Sequence, residues 1–369
     1  MIRLSVKTLS LGMAALACLP FGSIASAQTT IQWVTVGDPG NTADTDPSGY
    51  GAVATSFQIM KYEFTNQQYT DFLNSVDANG TNPNSVYSAS MGSDARGGIS
   101  FTSGNDPGSK YAIRSNMGDK PVNYVSWFDA ARVSNWLMNG ATSSSDTEDG
   151  AYTLVGGQTS GNAPGVNNGA TFYVPTENQW YKAAYYQGGG TNAGYWNYAT
   201  QSDSDPTAVT AGETGIGSAG STGNFANFNR AAVWNSQNDG NVTTVGTNGG
   251  PSAYGAFDMS GNVFEWNDLT GAAGSSRELR GGDWFYDNPF YLSSSHSSSE
   301  DPSYEDSVIG FRLARSGAST SAVPEIDPSS LGSVLALVLG SLGLLERRRL
   351  KVRLAACHRT RLIGCEKCR

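Results

Sequence analysis

The stretch YVPTENQWYKAAYY, Tyr173 to Tyr186, decides how this chain is read. It opens on a short apolar run that Pro175 ends, because proline carries no N–H for a strand ladder. Thr176 and Gln179 then stand three apart, the spacing at which a threonine oxygen and a glutamine side chain satisfy each other's backbone N–H groups at a helix start. Trp180, Ala183 and Ala184 follow at helical spacing and predict the buried face. A strand stub, a cap and a short amphipathic helix lie within fourteen residues.

Working outward, two more segments carry the same chemistry. In YEFTNQQYTDFLNSV, Thr65 and Gln68 make a second capping box, and Tyr69, Phe72 and Leu73 line one face. In PVNYVSWFDAARVSNWL, Ser126 caps, Asp129 favours the first turn, and Val133, Trp136 and Leu137 point inward. Short runs such as TTIQWVTVG, ATSFQIMKYEF, GATFYV and VIGFRLA read as strands. Residues 77–118, 139–169 and 188–223 read as long loops rich in Gly, Ser, Asn and Thr. Few helices among many short strands predict an α+β fold. Eight Trp, 17 Tyr and 14 Phe supply a core, so disorder throughout is excluded.

Both ends carry signals. Residues 1–27 read as a secretion signal: Arg3 and Lys7, an apolar run from Leu9 to Leu19, then Ala25-Ser26-Ala27 before Gln28. Cys18 raises the alternative of a lipoprotein cysteine, with Ala15 where such a site wants Leu. A domain over 28–318 follows, then a linker with Val323-Pro324-Glu325-Ile326-Asp327 over 319–330. Leu331 to Leu345 read as a transmembrane segment, and 346–369 as a basic tail opening on Glu346 and three arginines. That tail holds Cys357, His358, Cys365 and Cys368, whose spacing matches none of the strong zinc patterns.

Between signal and tail there are 12 basic and 30 acidic residues. Such a surface repels phosphate backbones and excludes nucleic acid as a partner. The same region has no cysteine, so no disulfide staples it.

Taken in order, YEFTNQQYTDFL, PVNYVSWFDAARVSNWL, YVPTENQWYKAAYY, YGAFDMSGNVFEW, LRGGDW and GFRLARS resemble the successive signature blocks of formylglycine-generating enzymes, the sulfatase-modifying-factor domain. The resemblance spans about Ile31 to Ser316 and implies a loop-rich, C-type-lectin-like fold. The C-terminal end resembles a PEP-CTERM sorting signal in a VPEID form. It implies an exosortase-type processing partner, a membrane-held precursor, and a final place in the periplasm, at the cell surface or in a matrix.

The resemblance also implies metal sites. In DMSGNVFEW, Asp258 and Glu265 supply carboxylates, and Gly261 and Val263 can turn carbonyls inward; the matching family positions bind calcium, a hard cation that takes such oxygens. The competing reading is a tight turn whose carboxylates accept from nearby backbone N–H groups. A second family calcium site falls on Asn227, the Phe228 carbonyl, Asp239 and the Asn241 carbonyl, with a spacing that departs from the family pattern.

In the oxidases of this family, the loop after the double glycine carries two cysteines that hold copper(I). Counted from Gly281-Gly282, those positions are Tyr286 and Tyr291, and Asp283 stands where a serine is usual. Copper(I) needs soft sulfur ligands, so copper is not expected here. Asp283, Asp287, Tyr286 and His296 are the remaining acid–base candidates, with His296 expected as a solvated loop residue. Trp127, Trp136, Trp180, Trp266 and Trp284 are expected in the core rather than as a stacking platform.

Three functions stay open on the sequence: a noncatalytic module binding an exported protein or a polysaccharide, an enzyme of divergent chemistry, and a structural surface or matrix protein.

Overall fold

The computed structural model describes residues 30–45 and 49–317. The secretion signal, the VPEID motif, the apolar run and the basic tail therefore lie outside the described residues. Among the described residues no helix is long and apolar enough to cross a membrane.

In chain order, β1 (Trp33–Val36) and β2 (Phe57–Met60) lead into α1 (Asn66–Val76), followed by α2 (Ser90–Ser93), β3 (Ile99–Phe101) and β4 (Tyr111–Ile113). Next come α3 (Trp127–Met138), β5 (Phe172–Tyr173), α4 (Glu177–Tyr185), β6 (Thr207–Ala208) and β7 (Phe225–Ala226). The chain closes with β8 (Phe264–Asn267), β9 (Arg277–Arg280), a 3₁₀ turn over Pro289–Leu292, β10 (Ser298–Glu300), β11 (Ile309–Phe311) and β12 (Ala314–Ser316). Few helices among many short strands make the fold α+β and loop-rich, as the composition requires.

All three expected helix starts are reciprocal capping boxes. Thr65 pairs with Gln68, Thr176 with Gln179, and Ser126 with Asp129, so that aspartate closes the box as well as favouring the first turn. Such a cap contributes about 1 kcal/mol by satisfying N–H groups the helix cannot. Phe72 of α1 meets Trp136 of α3 edge to face at 5.5 Å. The five expected core tryptophans are all buried, none more than 3% exposed. Trp127, Trp136 and Trp266 share the larger apolar cluster, Trp180 sits in a second beneath α4, and Trp284 in a third.

Two four-stranded sheets organise the loops. The first has the order β1-β2-β12-β5, so the last strand is inserted between β2 and β5. The second runs β10-β9-β8-β11, antiparallel except where β11 lies parallel to β8. Residues 77–118, read as a loop, contain α2 and the β3–β4 hairpin. Its strands are only three residues long, too short for an alternating pattern to stand out from the surrounding Gly and Ser.

Candidate functional site

β9 delivers the chain to Gly281 and Gly282, both with positive φ. At Gly282 a Cβ would lie 2.8 Å from the Tyr291 carbonyl oxygen, so only glycine lets the returning 3₁₀ turn pack this closely. That approach brings Tyr286 and Tyr291 together: their rings stack at 4.3 Å with 24° between planes. Phe264 meets Tyr286 edge to face at 6.3 Å. The two positions where the family resemblance puts copper thiolates are thus filled by a phenol pair.

Asp283 is fully buried beside this stack. One carboxylate oxygen accepts from the backbone N–H groups of Phe285 (2.8 Å) and Tyr286 (3.0 Å). The other, Oδ2, is buried and meets no donor. Burial pushes the carboxyl up to about 7, and the two backbone N–H groups hold it from rising further.

Asp283 lines a cavity of about 370 Å³ together with Trp284, Tyr286, Glu300, Tyr304 and Asp306. Its polar wall comes from the loop after β9, strand β10 and the turn before β11, with Arg96 and Asp239 added from two further loops. Neither Glu300 nor Asp306 belongs to a signature block, and spacing along the sequence carries no sign of them. Arg96, also at the wall, lies over the Trp284 ring at 4.5 Å and donates to the carbonyls of Gly240 and Asp239.

The acid–base set expected from the sequence is only half assembled. Asp283 and Tyr286 share the cavity, whereas Asp287 is exposed and neither it nor His296 lines the wall. His296 also corrects the expectation of a solvated residue. It is half-buried, with Phe264, Phe290 and Tyr291 around its ring at 5.9, 5.4 and 4.8 Å. Its Nδ1 is buried without a partner, and burial, aided by the Arg280 charge, holds its pKa below the usual histidine range. The aromatic 3₁₀ turn folds back over it, a contact that sequence order does not reveal.

The expected calcium residues are brought close to one another. Gly261 bridges Asn227 at positive φ, and a Cβ there would fall 2.4 Å from the Asn227 carbonyl oxygen. The carboxylates, however, already serve protein donors. Glu265 takes a bidentate pair from Arg312, both contacts at 2.6 Å, and a third bond from Trp180 Nε1 at 2.7 Å. Asp258 accepts from Gly246 N (2.5 Å) and Asn248 Nδ2 (2.9 Å). As they stand, Asp258 and Glu265 do not fit a cation cage; the sequence could not show this, because Arg312 lies 47 residues further along the chain, just past β11.

In the second set, Asn227 Oδ1 is buried and meets no donor, as a cation ligand would be. Its Nδ2 donates to the Asn241 carbonyl (2.9 Å), the Phe228 carbonyl accepts from Ala231 N (3.3 Å), and Asp239 turns to Arg230 at 3.5 Å. One free oxygen among four positions does not make a site for a hard cation, which needs six or more. Among the described residues no three His, Cys, Asp or Glu side chains gather closely enough to hold a metal ion.

Glu63, which the sequence reading did not single out, is fully buried and receives Asn262 Nδ2 at 2.8 Å. Burial, with the nearby Asp258 and Glu265 charges, lifts its pKa well above the carboxylate range.

Residues 25–317 match the family model described as the sulfatase-modifying factor enzyme 1-like domain. Among solved structures, one titled crystal structure of CarF matches at 22% identity and a TM-score of 0.46, covering 78% of this chain and 99% of that one. Treponema denticola variable protein 1 matches at 20% identity and a TM-score of 0.43, covering 78% of this chain and 95% of that one. PvdO from Pseudomonas aeruginosa matches at 19% identity and a TM-score of 0.39, covering 78% of this chain and 92% of that one. No curated protein sequence matches the chain.

Proposed function

We propose, for a chain that belongs to the sulfatase-modifying factor enzyme 1-like domain family, a noncatalytic role: binding a protein or glycan over the Tyr286 loop. The observation that carries this reading is the stacked Tyr286–Tyr291 pair at the two positions of the family's copper thiolates. A neutral phenol, with a pKa near 10 in water, offers neither the charge nor the softness that copper(I) needs. Burial raises the Tyr286 phenol further, away from the anion. What the pair does offer is ring surface beside a cavity, so a groove can outlive the chemistry it once served. The secretion signal and VPEID tail read from the sequence support a place outside the cytoplasm for the module, with its precursor held in the membrane.

A second reading has one observation in its favour: Asp283, buried at a cavity wall with its pKa near neutrality, is the kind of group that acid–base catalysis uses. It stands second because neither His296 nor Asp287 joins Asp283 at the cavity.

The test supplies copper, oxygen and a peptide carrying Cys-x-Pro-x-Arg, and looks for aldehyde by mass. The noncatalytic reading expects none above the protein-free control. Aldehyde that disappears in the Tyr286→Phe, Tyr291→Phe double variant would overturn it.

A further inference from the structure

We propose that the cavity beside Asp283 receives one cationic side chain, a lysine or arginine, from an extended peptide laid along β10. The inference rests on the binding role proposed above and names the class of ligand.

Charge complementarity comes first. Asp283, Glu300 and Asp306 line the cavity together with Asp239, which Arg230 pairs at 3.5 Å, and Arg96 is the one cation of the wall. Arg96 is held on the wall: its guanidinium lies over Trp284 and donates to two backbone carbonyls. The second observation is independent of the count of acids. Asp283 is 0% exposed, lines the cavity, and keeps Oδ2 without a donor. A buried carboxylate oxygen without a partner is costly, and an incoming N–H that supplies one relieves that cost.

The shape of the site selects among cations. A metal ion needs several ligands converging on one point, and among the described residues no three acidic or metal-binding side chains do so. Acids spread over about 370 Å³ suit instead a charge delivered on an organic stem. Tyr286 and Tyr304, 39% and 44% exposed, give that stem ring surface to lie against, and an aromatic face attracts the cation itself.

The strand order supplies the peptide. Among the described residues β10 is the outer strand of its sheet and pairs with β9 alone. Successive strand residues point to opposite faces, so Ser298 and Glu300 share one face, and both line the cavity. A peptide strand added to the open edge of β10 takes its affinity from main-chain hydrogen bonds and its specificity from the pocket beside it.

The experiment titrates the full chain, in detergent, with acetylated and amidated glycine pentapeptides whose central residue is lysine or arginine. The uncharged counterparts carry norleucine or citrulline. The expected result is binding at least tenfold tighter for the cationic peptides, weakening with salt. It should fall at least tenfold in Asp283→Asn, and in the Glu300→Gln, Asp306→Asn double variant should the buried change fail to fold. Equal binding of charged and uncharged peptides, absence of binding by either cationic peptide, or binding unchanged in a folded variant overturns the proposal. A polysaccharide that binds at this cavity in place of the peptides overturns it while the noncatalytic reading stands. Aldehyde in the copper assay that the Tyr286→Phe, Tyr291→Phe double variant abolishes removes that reading whatever the peptides do.

Discussion

Replacing Asp283 by asparagine should stabilise the domain at pH 8 and destabilise it by ~1–2 kcal/mol near pH 4. Burial raises this carboxyl from its ordinary 3.8 to about 7. The folded state therefore holds its proton more tightly than the unfolded chain does. Stability falls as pH rises from about 4 through about 7, because the charged form must then be kept in the fold. At ~1.4 kcal/mol for each pH unit between the two values, the full penalty above neutrality is ~4 kcal/mol. The groups that face it set this balance: Asp306 adds to the penalty, and the Phe285 and Tyr286 N–H groups and Arg230 reduce it. Asparagine keeps an oxygen for the two N–H bonds and removes the charge, but its amide nitrogen then lacks an acceptor, at ~1–2 kcal/mol. The net gain is ~2 kcal/mol at pH 8, or ~4 °C in melting temperature for a domain of this size. Thermal melts of both proteins from pH 4 to pH 8 measure it. A variant no more stable than the parent at pH 8, or a difference that does not change with pH, would refute the reasoning.

Three further outcomes follow from the same geometry. Glu265→Ala leaves Arg312 buried without its bidentate partner and should cost ~3–5 kcal/mol in chemical denaturation, with Glu265→Ala, Arg312→Met together recovering part of it. Gly282→Ala should destabilise by ~1–3 kcal/mol, since the position has φ +74° and a Cβ would press on the Tyr291 carbonyl; a melt within error of the parent would remove the close approach from the account of the loop. Chelating calcium should leave the melting temperature unchanged once metal removal is verified, because protein donors already hold the Asp258 and Glu265 oxygens. A fall of several degrees that Asp258→Asn abolishes would show instead that a cation displaces those donors.

The local features were legible from the residues alone. The three capping boxes join side chains only three positions apart, so Thr65, Ser126 and Thr176 announce their helices without help from the rest of the fold. The tryptophans of the signature blocks read as core because burying rings that size is a main source of stability for a region that contains no cysteine. The replacement of two thiols by Tyr286 and Tyr291 is likewise a matter of counting from a double glycine. Tertiary structure alone decided what those residues touch. The β11–β8 pairing carries Arg312 toward Glu265, and together the long loops and the edge strand gather Asp283, Glu300 and Asp306 around one cavity. It also folded the 3₁₀ turn over His296, which sequence order left as a solvated residue. A hydrogen bond between neighbours in sequence needs only a local backbone geometry. A buried ion pair or a shared pocket wall depends on which distant strands meet, and that is set by closing the whole core.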